Sequence, residues 1–593
     1  MSAGLTGHVQ SLRMSLNRSL SFNCQMDYST APSILSAERY PTMNEPKRVQ
    51  SSLKYISVRI LEPVTLVYLT ACIVCYALYT IPAFPRFLSS INLNSVVRPL
   101  LRNIGVVLCT AEGICSFRMR KGPGRLLLYG MIAAAAFSSW QQRVYGASSN
   151  INSLLWMAII FILGYSAVYH YGHRAMRLSA ALSYMTFMVV WCTACCLSLA
   201  QFVLQIGKNG PNQATFPWLQ GTGFVAPRLT GIFGYPEYGA SFGVLLMIVG
   251  LYWIIRTRRW IVRIIIVLVN LPLFFYFVLS ITRNAILAMY LAAFVGAFLL
   301  FLRNVRQTAG RGILVSLALA CAVLLVLFCV QMGTKRIAEK IPGHFDKAAP
   351  AAEAPTASVP FSPARKSSKP LSALRSKVEH RVPAAAALPA SQESSAEIVK
   401  TSNPTGNQAQ ADGTPGLLDR QYNSGDLTSG RLQIWKDYLS ISKEIGLFGL
   451  SPENASWYIQ EHHPDLYICT YIKATNPTSY ERGYVFHPHS GYLKVFVSAG
   501  FIGLACVLVF FLRCGITVVS YIRRSRHLSA EFICSLMVVV AGLSSALFEN
   551  ELFFNLTNPI MFFFWIAVSI LMRSMTQTEK VRTGKHRREQ SRH

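Results

Sequence analysis

The sequence predicts an all-α integral membrane protein of about twelve transmembrane helices, with a large helical extracytoplasmic loop before the tenth. Three observations carry this. Of 593 residues, 52% are hydrophobic and 14% charged, where a soluble domain has about a quarter charged. Apolar stretches of about 20 residues, enough to cross a bilayer, recur along the chain. Basic residues gather in alternate connectors between them. This composition excludes an ordinary cytosolic enzyme, a disordered chain and a disulfide scaffold. The 14 cysteines sit almost wholly in apolar runs, where they act as small hydrophobes. Among the segments expected outside the cell only Cys469 occurs, so no external disulfide is expected.

In order, the spans read 64–81, 95–115, 126–139, 152–169, 178–206, 239–255, 261–280, 284–302, 312–332, 490–512, 530–548 and 552–572. The second carries Arg98, Arg102 and Glu112, and the third is short. Residues 1–50 are polar with no apolar core, so no cleavable signal peptide is expected. With the N-terminus cytoplasmic, the inner connectors hold Arg118, Arg120 and Lys121, then His173, Arg174 and Arg177. Next come Arg256, Arg258 and Arg259, then Arg303 to Arg311, then Arg523, Arg524 and Arg526. The tail holds Lys585, Arg587, Arg588 and Arg592, while the short outer connectors are poor in Lys and Arg. The pattern follows the positive-inside rule and puts both termini in the cytoplasm. The net charge of +30, from 56 Lys plus Arg against 26 Asp plus Glu, is then mostly topological. No nucleic-acid partner is expected; the lipid bilayer is.

The chain divides into a cytoplasmic polar segment 1–63, a nine-span bundle 64–332 and an extracytoplasmic loop 333–428. An ordered extracytoplasmic lid 429–489, a three-span bundle 490–572 and a basic cytoplasmic tail 573–593 follow. Within the loop, the 70 residues from Lys347 to Gly416 include 16 Ala, 9 Pro and 10 Ser, with Phe361 the only aromatic. Such a segment cannot bury a core and reads as a disordered insert. From Arg431 to Pro488 aromatic residues return, and the spacing of Leu432, Trp435, Tyr438 and Leu439 is helical, with Ser429 placed as an N-cap.

Charges outside or within a membrane are costly, so the exceptions point to function. Arg283 sits in a tight outer turn between two apolar spans, Arg228 just before an outer helix entry, and Arg431 at the start of the lid helix. Each has a plain reading as well: a snorkelling or capping Arg at 283, a solvated turn at 228, a solvated lid charge at 431. Three arginines on one outer face suggest an anionic ligand, because guanidinium forks match phosphate oxygens at two points. A lipid-linked pyrophosphate has that shape. His487 and His489 lie where the lid meets the tenth span. Histidine is the natural general base near neutral pH, and a polar interface residue is the plain alternative. His462, His463, His487 and His489 lack a standard zinc spacing, so no metal is expected. Glu112 reads as a proton-relay acid or as a partner for Arg98 or Arg102. Glu237, Glu549 and Glu551 read first as solvated outer acids, with a sugar hydroxyl as the alternative partner. There is no Walker loop, dinucleotide fingerprint or Ser-His-Asp arrangement.

Together these segments resemble the O-antigen ligase / O-antigen polymerase superfamily of bacterial membrane glycosyltransferases. Arg228 to Glu237 is similar to the family's Arg…Gly-Thr-Phe…Pro-Asn entry, with Glu237 for Asn. Ser280 to Ala285 is similar to its Leu-Thr-Xaa-Ser-Arg-Gly turn. Ser429-Gly430-Arg431 to Trp435 and Gly446-Leu447-Phe448-Gly449 resemble its Gly-Arg…Trp and Pro-Leu-Xaa-Gly stretch. His489-Ser490-Gly491-Tyr492-Leu493 to Gly500-Phe501-Ile502-Gly503 resembles its His-Asn-Xaa-Tyr-Leu…Gly-Xaa-Xaa-Gly signature. The resemblance covers about residues 60–575. It implies a donor glycan linked to undecaprenyl pyrophosphate, an acceptor glycolipid or glycan hydroxyl, and metal-independent transfer without a cofactor. It further implies the bacterial cytoplasmic membrane, with the active site on its outer face. Arg283, Arg431 and Arg228 would hold the pyrophosphate and His489 would take the acceptor proton. Glu237, His487 and Trp435 would contact the acceptor or support these groups. Ligase members transfer to lipid A–core, polymerase members to a second lipid-linked repeat. A different class, a transporter of polysaccharide or lipid-linked glycan, also suits twelve spans. It would line a mid-membrane cavity with the polar residues, where a transferase gathers them at the outer face.

Overall fold

In a computed structural model, the described residues are 60–81, 96–115, 122–171, 173–204, 223–225, 228–233, 235–305, 311–340, 431–525, 528–555 and 558–590. All belong to one compact unit, Leu53–His593. The insert 350–414, with the N-terminal 50 residues and Ser429, lies outside the described residues.

A helix stands at every position where a span was expected. These are α1 Glu62–Tyr79, α2 Arg98–Cys115, α3 Arg125–Gln141, α4 Ser148–His170, α5 His173–Val203 and α6 Pro236–Arg256. They continue as α7 Trp260–Ser280, α8 Arg283–Val305 and α9 Arg311–Lys340. Eight helices are long and apolar enough to cross a membrane: α4 to α9 and the later α15 (Gly491–Arg524) and α17 (Pro559–Gln590). The helix α1 and the later α16 (Ala530–Ser545) are apolar but shorter. The ninth helix runs to Lys340, past the expected end at 332. A two-stranded antiparallel hairpin, β1 Gly223–Val225 and β2 Arg228–Gly231, was not expected from the sequence.

Between α9 and α15 the described chain forms five short helices: α10 Arg431–Ser440, α11 Ser442–Ile445, α12 Ala455–His462, α13 Tyr467–Thr475 and α14 Pro477–Glu481. Ile434, Tyr438, Ile441, Ile445, Ile459, Ile468 and Val485 share their core with Phe496 and Val497 of α15, which fixes this lid on the membrane bundle. The helical reading of α10 holds, but its buried face is Ile434, Asp437 and Tyr438; Leu432 and Leu439 are exposed. Asp437 tolerates burial because its carboxylate accepts from the Ile468 amide at 2.9 Å and from Gln433 at 3.1 Å. Cys469, also buried, is a free thiol.

The lid and α15 meet at a break. Gly500 has φ 65° and ψ −164° inside α15, a conformation open essentially to glycine alone. Breaking a helix orphans its amides and carbonyls, which in hydrocarbon costs several kcal/mol per group. Here the 446–450 loop satisfies them. Phe501 N–H donates to Gly446 O and Ile502 N–H to Leu447 O, both at 3.1 Å, and Leu450 N–H donates to Val497 O at 2.7 Å. Gly449, at φ 89°, makes the approach possible, since a Cβ there would lie 2.7 Å from the Ala499 amide nitrogen. The two glycine motifs are therefore the two sides of one joint.

Elsewhere α8 packs on α16 and α9, α3 on α15, α6 on α7, and α16 on α17. Glu112 is buried and accepts a hydrogen bond from Tyr171, while Arg102 donates to Asn152 at 3.1 Å. Of the two arginines expected as partners for Glu112, Arg102 is thus turned to Asn152 instead.

Candidate functional site

The site is built where the start of α6, the start of α8, the end of α16 and the entry to α15 meet the lid. One face of α10 does most of the assembly. Arg431, Trp435 and Tyr438 are spaced i, i+4, i+7 and so project together. Arg431 forms an ion pair with Glu549, Trp435 Nε1 donates to Pro488 O at 2.9 Å, and Tyr438 donates to Phe486 O at 2.6 Å. The indole of Trp435 also stacks on Phe548. These bonds fasten the 486–489 segment on its lid side. On its other side Gly491 N–H donates to Ala546 O at 2.7 Å, and Ser490 caps α15 through Leu493 N–H.

Held from both sides, His489 takes a left-handed φ of 43°. Such backbone strain persists only where surroundings over-determine it. The Nδ1 atom of His489 lies 3.4 Å from Glu549 Oε2, while Arg431 holds Glu549 Oε1. One carboxylate thus bridges the two residues singled out from the sequence. Its side chain is 11% exposed, against 21% for Arg431 and 34% for His489, so the imidazole is the accessible member. With Nδ1 turned to the carboxylate, Nε2 is left to accept a proton. The 3.4 Å separation is long for a hydrogen bond, as catalytic contacts often are before substrate binds.

Beneath Glu549 lies a second polar cluster. Glu551 is fully buried, and its Oε2 accepts from the Ser545 hydroxyl at 2.6 Å. Asn284 Nδ2 donates to Ser545 Oγ at 3.4 Å and to Ser241 Oγ at 3.5 Å. Burial first, then the neighbouring Glu549 and Glu237 carboxylates, push the Glu551 carboxyl up to about 8, against the hydroxyls of Ser545 and Ser241. The expectation that Glu549 and Glu551 are solvated acids is overturned: 8% and 0% of their surfaces are exposed. Both sit in a turn that folds back under the lid between α16 and α17.

Arg283 opens α8 half-buried, adjacent in the chain to Asn284, and follows Ile281, whose φ of 49° is unusual for a β-branched residue. Its chain neighbour Asn284 belongs to the cluster. Glu237 lies in the first turn of α6, half-buried, and acts on Glu551. Arg228 pairs with Val225 in the hairpin; its side chain lies outside the described residues. His487 packs edge-on to Tyr484. Burial, with Lys494 and His489 adding, pushes it down to about 3, so it stays neutral. His463 pairs with Glu444 at 2.5 Å and His462 stacks on Tyr458, so both are engaged within the lid. Among the described residues no group of three or more His, Cys, Asp or Glu could hold a metal ion.

Sequence reasoning missed Tyr438, Asn284 and Ser545 and misassigned Glu549 and Glu551. A usable signal for the two acids was present: Glu-Asn-Glu is bracketed by Phe548 and by Leu552-Phe553-Phe554, an apolar setting in which a solvated acid is out of place.

Residues 268–508 match the family model described as O-antigen ligase. No curated protein and no solved structure matches the chain. The matched stretch begins in α7, ends in α15 and includes Arg283, Arg431 and His489, while Glu549 and Glu551 lie beyond it. Residues 268–508 of this multi-pass helical membrane protein are thus similar to the O-antigen ligase family.

Proposed function

We propose that the protein is an O-antigen ligase-type glycosyltransferase of the bacterial cytoplasmic membrane. It moves a glycan from undecaprenyl pyrophosphate to an acceptor hydroxyl on the outer face, in lipopolysaccharide or surface-polysaccharide assembly. The chain crosses the membrane twelve times with both termini cytoplasmic, as the basic connectors require. The lid, whose described residues are 431–489, closes the site from outside.

The observation that carries this reading is the Glu549 carboxylate shared by Arg431 and His489 Nδ1. In the proposed reaction Arg283, Arg431 and Arg228 bind the donor pyrophosphate. The acceptor oxygen attacks the anomeric carbon while its proton passes to His489 Nε2. The bond from the anomeric carbon to the phosphate oxygen breaks, and its electron pair leaves on the pyrophosphate. Guanidinium groups in a water-poor site stabilise that developing charge. Glu549 fixes the imidazole tautomer and stabilises the imidazolium. Glu237, His487 and Trp435 line or support the acceptor side. The leaving group is already activated, so the reaction needs no nucleotide, and we propose that it is metal-independent.

The test is transfer by purified protein in nanodiscs with a lipid-linked glycan donor, lipid A–core or a second lipid-linked repeat as acceptor, and EDTA present. Transfer to lipid A–core marks a ligase and chain extension marks a polymerase. EDTA-sensitive transfer contradicts the metal-independent mechanism, and transport of the lipid-linked glycan without any transfer contradicts the enzyme reading.

A further inference from the structure

Glu551 has no role in the reaction as written, yet it is the most deeply buried acid at the site. Its side chain is fully enclosed, with the Ser545 and Ser241 hydroxyls as its polar neighbours, and its Oε1 makes no hydrogen bond of ordinary geometry among the described residues. An ionised carboxylate left in that state is strongly disfavoured. A protonated one costs far less, with Oε2 accepting from Ser545 and the acid hydrogen carried on Oε1. The Ser545 hydroxyl that donates to it is also the acceptor for Asn284, the residue after Arg283. Glu551 is two residues from Glu549, and so joins the turn carrying that carboxylate to the helix opened by Arg283.

We propose that Glu551 is a positioning residue that works as a neutral carboxylic acid. It ties the start of α8 to the Glu549 turn, and it keeps a further negative charge away from an anionic donor. This rests on the reading that a pyrophosphate-linked donor binds above it. The charged and titratable groups around it are Glu549 from its own turn and Glu237 from α6. Arg431 from the lid and His489 are reached through Glu549. Ionising Glu551 adds charge of the donor's own sign beneath the donor. Burial and the neighbouring carboxylates push its carboxyl up to about 8, within reach of experiment.

The experiment compares wild type with Glu551→Gln and Glu551→Ala in nanodiscs, with undecaprenyl pyrophosphate as binding probe and glycan transfer as second readout. Gln keeps the shape and a donor without a titratable proton. It is expected to bind and transfer within about 3-fold of wild type at pH 7, while Ala loses about 10-fold or more in kcat/KM. From pH 7 to 9.5 wild-type affinity for the probe is expected to fall about 10-fold, and that of Gln to stay flat. A Gln variant as impaired as Ala, or one with the wild-type pH dependence, overturns the proposal. Failure of the probe to bind wild type at any pH would instead sink the donor reading. Glu551 is then judged on the thermal midpoint. A carboxyl raised in the fold makes wild type lose stability as pH rises from about 4.5 toward 8, a slope that Gln lacks. Equal slopes in the two proteins overturn the proposal on that arm.

Discussion

Gly500→Ala probes the joint on which the whole site hangs. The added methyl would land on the Leu447 carbonyl and the Phe448 amide, backbone atoms that cannot swing aside as a flexible side chain can. It would also sit at φ 65°, ψ −164°, where an L-residue is strained. Strain of about 1–3 kcal/mol, plus two lost backbone hydrogen bonds at about 0.5–1.5 kcal/mol each, gives roughly 2–6 kcal/mol. The chain relieves this only by moving 446–449 off α15, which lets α10 and the 486–489 segment drift. Gly515→Ala is the matched control: it lies in the same helix, in open space, where alanine is favoured by about 0.5–1 kcal/mol. Thermal unfolding and limited proteolysis of detergent-purified protein should show Gly500→Ala several degrees less stable, newly cut in the lid and inactive. Gly515→Ala should match or exceed wild type. A Gly500→Ala protein with the wild-type midpoint and digestion pattern refutes the joint.

Arg283→Lys should lose most transfer although charge is kept, because a compact ammonium cannot make the two-point contact; donor affinity near that of wild type would count against the clamp. Glu549→Gln should lower kcat by about 10²–10⁴-fold, since the amide no longer stabilises the imidazolium; undiminished turnover would remove Glu549 from the mechanism. Deleting 350–414 should leave transfer within a few-fold, because a segment so rich in Ala, Pro and Ser has little to contribute to a core and shortening the connection changes its closure entropy little. Loss of folding or of all transfer on deletion would make the insert a functional part.

The helices were legible because bilayer crossing imposes length and apolarity on consecutive residues, and alternating connector charge gives an independent check. The start of the lid helix was legible from Arg431 and its aromatics. Which face it buries was not, because apolar spacing selected the exposed Leu432 and Leu439, while Asp437 is buried by hydrogen bonds to Gln433 and the Ile468 amide. His489, with Arg228, Arg283 and Arg431, stood out by sidedness and motif. Glu549 did not, because its value comes from partners 60 residues back, at His489, and 118 residues back, at Arg431. No local pattern encodes a carboxylate shared across that distance. The break at Gly500 was visible only as a glycine in a motif; its purpose required the docked 446–450 loop.

The central claim is that His489, oriented by Glu549, removes the acceptor proton while the arginines hold the donor. Parallel measurement of donor affinity and turnover in His489→Ala separates these roles most directly. The account predicts donor affinity within about 3-fold of wild type and kcat lower by about 10²–10⁴-fold, the range of a lost general base. A His489→Ala enzyme that transfers glycan at the wild-type rate would contradict it.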